Sequence, residues 1–169
     1  RAAGIHIWNI GNSNVHNMEE VTLNLPGRDR KIEQYIQYLR HLHAAGLTYT
    51  TYAHMGNGLW STGRELVRGA PARVFDQAQA REGHWQGKTF RGPLTHGRKY
   101  TAEEIWDNFT YFIRRVVPVA EELGVRIGIH PADPPVPELG GVPRCIFSSF
   151  EGYRRALEIA SSDSIGICL

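Results

Sequence analysis

Arg126-Ile127-Gly128-Ile129-His130-Pro131-Ala132-Asp133-Pro134-Pro135-Val136-Pro137 is the stretch that decides the fold. Val125 to Ile129 is a short apolar run placed directly after a helix stop at Gly124. A run of that kind, too short for a helix and rich in β-branched residues, reads as a buried parallel strand. Pro131, Pro134, Pro135 and Pro137 then forbid a helix and remove backbone donors, so the chain leaves the strand as a stiff, extended loop. His130 and Asp133 sit at that exit. Parallel α/β folds carry their reactive residues at this end of the strands. A lone histidine after a strand is more often a hydrogen-bonded loop residue than a metal ligand. Cys168 changes the balance: Ser164-Ile165-Gly166-Ile167-Cys168 is a second short apolar run ending in a ligand-type side chain, with one helix between the two runs. In a βαβ unit successive strand ends are neighbours, so His130 and Cys168 are expected to converge.

Working outward, Ile5 to Ile10 reads as a first strand, followed by an Asn-rich polar loop over 11–27 with Asn12, Asn14, His16 and Asn17. That loop is longer than the usual connection, which hints at a place over the active-site face. Ile32, Tyr35, Ile36, Leu39 and Leu42 form the i, i+3, i+4, i+7 stripe of a helix over 29–45, with Gly46 as its stop. Thr48 to His54 is β-branched and aromatic, hence a strand, and a turn with Trp60 follows. Residues 63–100, rich in Gly, Arg and His, read as an irregular, lid-like excursion with one hairpin. Thr101 with Glu104 is a capping box that opens a long helix ending at Gly124, and Ser148 with Glu151 is another that precedes the helix before Cys168. The order β-α-β-(excursion)-α-β-α-β implies about four parallel strands with intervening helices. That is half of a (β/α)8 barrel, so residues 1–169 are expected to be the central part of a single barrel domain truncated at both ends.

Composition narrows the function classes. A charge of +2 with dispersed Lys and Arg gives no nucleic-acid footprint. No apolar run approaches the length of a membrane span. The two cysteines, in a chain with no secretory pattern, point to reduced thiols and a cytoplasmic location.

Four stretches resemble the mannonate dehydratase family, metal-dependent lyases on the xylose-isomerase-like TIM barrel. Ile129-His130-Pro131-Ala132-Asp133-Pro134-Pro135 is similar to the family's H-P-D-D-P-P signature, with Ala132 in place of the first acid. Ile165-Gly166-Ile167-Cys168 is similar to the start of its G-L-(T/C)-x-C-T-G strand. Tyr52-Ala53-His54-Met55 with Trp60 resembles its Y-N-F-M…W segment, Ala53-His54 standing for Asn-Phe. Asn108 to Glu121 resembles its N-L-x-Y-F…P-V-A-E helix.

The resemblance implies that His130 and Cys168 are metal ligands, for Mn2+ or Fe2+, and that the reaction is dehydration of D-mannonate to 2-keto-3-deoxy-D-gluconate. Imidazole and thiolate suit Zn or Fe and, with carboxylates added, Mn. The main acid and base, and the remaining ligands, are expected beyond Leu169. His54 and Trp60 are the local candidates to touch a small sugar-acid substrate, although His54 reads equally well as a packed loop histidine. Asp133, also a candidate for the substrate site, is expected to orient His130 or the proline loop rather than bind metal. The full-length protein is expected to act without nucleic acid or membrane and as a homo-oligomer. Two other readings stand beside this one. A sugar isomerase or epimerase of the same barrel superfamily would use two carboxylate ligands and lack a Cys ligand, so Cys168 argues against it. The other is an inactive fragment or binding module.

Overall fold

The structure is a computed structural model and describes residues 4–168. Residues 5–10 do not form the expected strand: they have no regular structure, and Ile5, Ile7, Trp8 and Ile10 are exposed. Alternating apolar residues define a strand only where a neighbour accepts the backbone hydrogen bonds. Here the described residues offer one side-chain contact instead, the Tyr38 hydroxyl donating to the Ile10 carbonyl. The Asn-rich stretch is more ordered than a plain loop. It holds α1 (Ser13–His16), capped by the Asn12 side chain accepting from the Asn14 N–H at 3.1 Å, and α2 (Glu19–Thr22).

α3 (Arg28–Ala44) follows the expected stripe, burying Ile32, Tyr35, Ile36, Leu39 and Leu42, and Gly46 beyond its end takes the left-handed φ of 72°. It leads into β1 (Tyr49–Tyr52). The excursion is not irregular. β2 (Leu59–Trp60), β5 (Glu82–Trp85) and β6 (Lys88–Arg91) make an antiparallel sheet, and β3 (Gly63–Val67) pairs with β4 (Ala70–Val74) as a separate hairpin. Both hairpins turn on pairs with positive φ, Arg68-Gly69 and Gln86-Gly87. That is the backbone of a type I′ turn, which usually announces itself as Asn-Gly or Asp-Gly. Arg-Gly and Gln-Gly carry no such signal, and β3 is exposed at every residue, so it shows no alternation either.

α4 (Ala102–Leu123) opens on the full capping box of Thr101 and Glu104, runs through Pro118 and ends at Gly124 in the left-handed region. β7 (Arg126–Ile129) comes next, then a short hairpin of β8 (Glu138–Leu139) and β9 (Val142–Pro143). α5 (Phe150–Ala160) is capped by Ser149 accepting from the Gly152 N–H, not by the expected Ser148–Glu151 box. β10 (Ile165–Ile167) completes the central sheet.

That sheet has three parallel strands in the order β1-β7-β10, one fewer than expected because residues 5–10 do not join it. Register pairs Tyr52 with Ile129 and Ile129 with Ile167. Tyr52 and Ile129 face the helices. Tyr52 stacks on Phe112 of α4 with ring centroids 4.3 Å apart, and Ile127, Ile129 and Ile165 join the same core with Leu39, Phe109, Ile113 and Ala156. Side chains alternate across a strand, so Tyr49, Thr51, Gly128 and Gly166 line the opposite face. Glycine at 128 is required there: a Cβ would lie 2.4 Å from the Tyr49 hydroxyl. The protein is therefore an α/β fold with helices on one sheet face and a side-chain-poor face opposite. No helix among the described residues is long and apolar enough to cross a membrane.

Candidate active site

The parallel ladder continues one residue past the strands. The His130 N–H donates to the Tyr52 carbonyl at 2.8 Å, and the Cys168 N–H donates to the Ile129 carbonyl at 2.9 Å. His130 and Cys168 thus follow the register pair Ile129–Ile167 on neighbouring strands, and by alternation both belong to the face of Gly128 and Gly166. Neighbouring strands lie about 4.8 Å apart, so the imidazole and the thiol share one end of the sheet.

The imidazole of His130 is fixed by its own loop. Its Nδ1 is 2.9 Å from the Pro131 carbonyl, which can only accept, so Nδ1 carries the hydrogen and Nε2 is left with its lone pair. On β1, the Tyr49 hydroxyl is held above its usual range, by burial first and by the neighbouring Cys168 thiol second.

A second histidine reaches the same place from the Asn-rich stretch. The ring of His16 packs edge-on against His130, centroids 5.6 Å apart and planes at 80°, with Trp85 of β5 on its other side at 6.0 Å. The stretch is tied down by an isolated parallel bridge between Asn17 and Ala53, by the Ala53 N–H donating to the His16 carbonyl at 2.8 Å, and by the Met55 N–H donating to Asn17 Oδ1 at 2.9 Å. Burial, then the neighbouring His130, push the His16 ring below its usual pKa. The long connection was the only trace of this in the sequence.

The other candidates lie elsewhere. His54 is on the helix side of the sheet, buried, with Nδ1 2.6 Å from the Tyr52 hydroxyl and its ring edge-on to Phe109. Burial drives its pKa down to about 3. Trp60 is also buried, its Nε1 donating to the Asn57 carbonyl at 3.0 Å against the backbone of Gly83. The Asp133 carboxylate accepts from Arg73 of β4 at 3.0 Å and makes no bond to His130, so it fastens the proline loop to the excursion.

Arg144, which sequence reading passed over, holds the loop from beneath. It is 3% exposed and donates to the Asp133 carbonyl at 3.0 Å, the Met55 sulfur at 3.3 Å, Asn57 Oδ1 at 3.1 Å and the Gly58 carbonyl at 2.7 Å. Burial lowers its pKa to about 10, with only Asp133 opposing.

Among the described residues no three His, Cys, Asp or Glu side chains are grouped closely enough to hold a metal ion. The donor chemistry of His130 and Cys168 nonetheless fits part of a transition-metal site: an imidazole with a free Nε2 and a thiol, side by side in register. Catalytic sites of this type need at least one more protein ligand.

Fold and site together define a parallel α/β protein with an imidazole and a thiol at the carboxyl ends of adjacent strands. Comparison with known proteins makes the class specific. Residues 1–169 match the family described as D-mannonate dehydratase (UxuA). Mannonate dehydratase 2 of Halalkalibacterium halodurans is 30% identical over 168 residues, covering 89% of this chain and 48% of that protein. Mannonate dehydratase of Streptococcus agalactiae serotype Ia is 30% identical over 185 residues, covering 99% and 52%. A crystal structure of mannonate dehydratase from Streptococcus suis serotype 2 superposes with a TM-score of 0.76 at 28% identity, over 98% of this chain and 48% of that one. The chain spans about half the length of the curated relatives it matches. It belongs to the mannonate dehydratase family.

Proposed function

We propose that this chain is part of an enzyme that dehydrates D-mannonate to 2-keto-3-deoxy-D-gluconate with a divalent metal, Mn2+ or Fe2+. The observation that carries the reading is the register-paired His130 and Cys168 at the carboxyl ends of adjacent parallel strands, in a chain of this family. His130 Nε2 and the Cys168 thiolate would hold the ion, with further ligands and the principal acid and base supplied from outside these residues. When bound, such an ion stabilises the ene-diolate that develops as the C2 proton leaves and hydroxide departs from C3. Within the chain, the Pro131 carbonyl orients the His130 ring, while Arg144 and the Asp133–Arg73 pair keep its loop in place. A small sugar acid is the substrate class.

The same reading completes the fold. Among the described residues the sheet ends in two strands, β1 and β10, that have a strand neighbour on one side only, and its helix-free face borders a 720 Å³ cleft lined by Trp8, Tyr49, Gly128 and Gly166. Both features support residues 1–169 as the central part of one (β/α)8 barrel. Two free cysteines suit a cytoplasmic enzyme, acting without nucleic acid or membrane and as a homo-oligomer at full length. The test is the full-length protein loaded with Mn2+ and supplied with D-mannonate, followed by colorimetric detection of the 2-keto-3-deoxy acid. Metal-loaded protein that forms none of it would reject the reading.

A further inference from the structure

Two imidazoles meet at the mouth of the sheet, and only His130 has a part in the reaction so far. We propose that His16 is a substrate-contacting residue of the same site, its Nε2 accepting a hydrogen bond from a hydroxyl of the sugar acid. The substrate class in this proposal rests on the dehydratase reading.

The placement of His16 is built rather than incidental. The bridge at Asn17–Ala53 and the bond from the Ala53 N–H to the His16 carbonyl pin its backbone at the carboxyl end of β1. Trp85 and His130 bracket the ring, so its plane is set by packing. Within that bracket its two nitrogens have different duties. Nδ1 lies 3.3 Å from both the carbonyl and the hydroxyl of Thr51. The carbonyl can only accept, so the hydrogen sits on Nδ1 and the lone pair on Nε2. No described residue donates to that Nε2, nor is it sealed among the buried, unpartnered atoms, so a molecule entering the site can reach it. His130 shows the same division, with Nδ1 on a carbonyl and Nε2 free.

Two duller roles fit less well. As a tether of the Asn-rich stretch, His16 would need only Nδ1. As a third metal ligand it would have to group with His130 and Cys168, and no such three-donor group exists among the described residues. A ring with an open acceptor, next to the proposed ligand pair, suits a polyhydroxy acid whose hydroxyls are donors.

The experiment compares His16→Asn with His16→Gln in the metal-loaded, full-length protein. Asn places its amide at the position of Nδ1 and preserves the Thr51 contact; Gln extends its carbonyl oxygen to the position of Nε2. His16→Asn is expected to lower kcat/KM for D-mannonate by about 30-fold, the effect of one lost substrate hydrogen bond. His16→Gln is expected to recover most of that, with metal content unchanged in both. Wild-type kcat/KM in His16→Asn, or equal losses in the two variants, overturns the proposal. So does loss of metal in step with rate. If the wild type does not dehydrate D-mannonate, the dehydratase reading fails on its own, and calorimetric titration with a panel of hexonates decides this one. Binding weakened about 30-fold by His16→Asn supports it, whereas unchanged binding, or a wild type that binds no hexonate, overturns it.

Discussion

Two cysteines of one chain differ in everything but their thiol. Cys168 follows a strand, in register with His130, while Cys145 sits behind α4 with its sulfur 3.7 Å from the Ala102 carbonyl. Burial pushes the Cys145 thiol up to about 11, so it is a poor nucleophile and a poor ligand. Cys168→Ser in the full-length protein is expected to strip the metal and abolish turnover, because a serine hydroxyl stays protonated at neutral pH. Cys145→Ser is expected to be nearly silent. Elemental analysis beside the rate, with circular dichroism on both, makes the comparison; a Cys168→Ser protein that keeps metal and rate would count against the thiolate ligand. His54 supplies a pH effect instead. Its folded pKa of about 3 lies below the ordinary 6.5, so the unfolded chain takes up the proton first as pH falls. The stability of the neutral ring is complete above 6.5 and is lost as pH drops toward 3, at up to about 1.4 kcal/mol per pH unit. His16, shifted the same way, adds to it. Urea midpoints of metal-free protein between pH 4 and 7 are expected to fall with pH, and to fall less in His54→Gln. Equal slopes in the two proteins would contradict the assignment.

Among the elements, the proline loop depends on a cation from another hairpin. Arg144 follows β9, yet its donors end on the turn after β1 and on the Asp133 carbonyl. Its guanidinium makes no ion pair among the described residues, and the Asp133 charge that acts on it is paired with the exposed Arg73. Arg144→Met keeps the length and the apolar stem but orphans three buried acceptors. We expect a loss of about 3 kcal/mol in chemical denaturation, together with weaker metal binding as the His130 loop loosens. A loss under about 1 kcal/mol would show that water takes over those contacts. The helices behave more simply. α4 starts where Thr101 and Glu104 satisfy each other's end and stops where Gly124 turns left-handed, both written locally in the chain.

At the scale of the whole molecule, the described surface leaves work undone. Among the described residues β1 and β10 each have one neighbouring strand, and Ile5, Ile7, Trp8 and Ile167 are exposed. Unpaired strand edges and apolar patches recruit other chains. The isolated 169-residue chain is therefore expected to self-associate, with a sedimentation coefficient that rises with concentration. A monodisperse, cooperatively unfolding monomer would argue against the barrel as the completing fold.

The sequence by itself determined the three longer helices, the cap and stop of α4, the strands before His130 and Cys168, and the pairing of those two residues as neighbours. Each of these rests on short-range information: a 3.6-residue stripe, a capping residue, or one helix between two apolar runs. Tertiary structure decided the rest. Residues 5–10 have strand periodicity but no described strand beside them, and periodicity cannot supply a partner. The hairpins of residues 63–91 turn on Arg-Gly and Gln-Gly, whose positive φ no residue code announces. His54 and Trp60 look like strand-end residues in the chain, yet packing draws both inward, toward Phe109 and Gly83. His16 and Arg144 join the site across long stretches of chain, through a backbone bridge and a buried guanidinium. Contacts of that range depend on register and on which face a strand turns to its helices, and local sequence encodes neither.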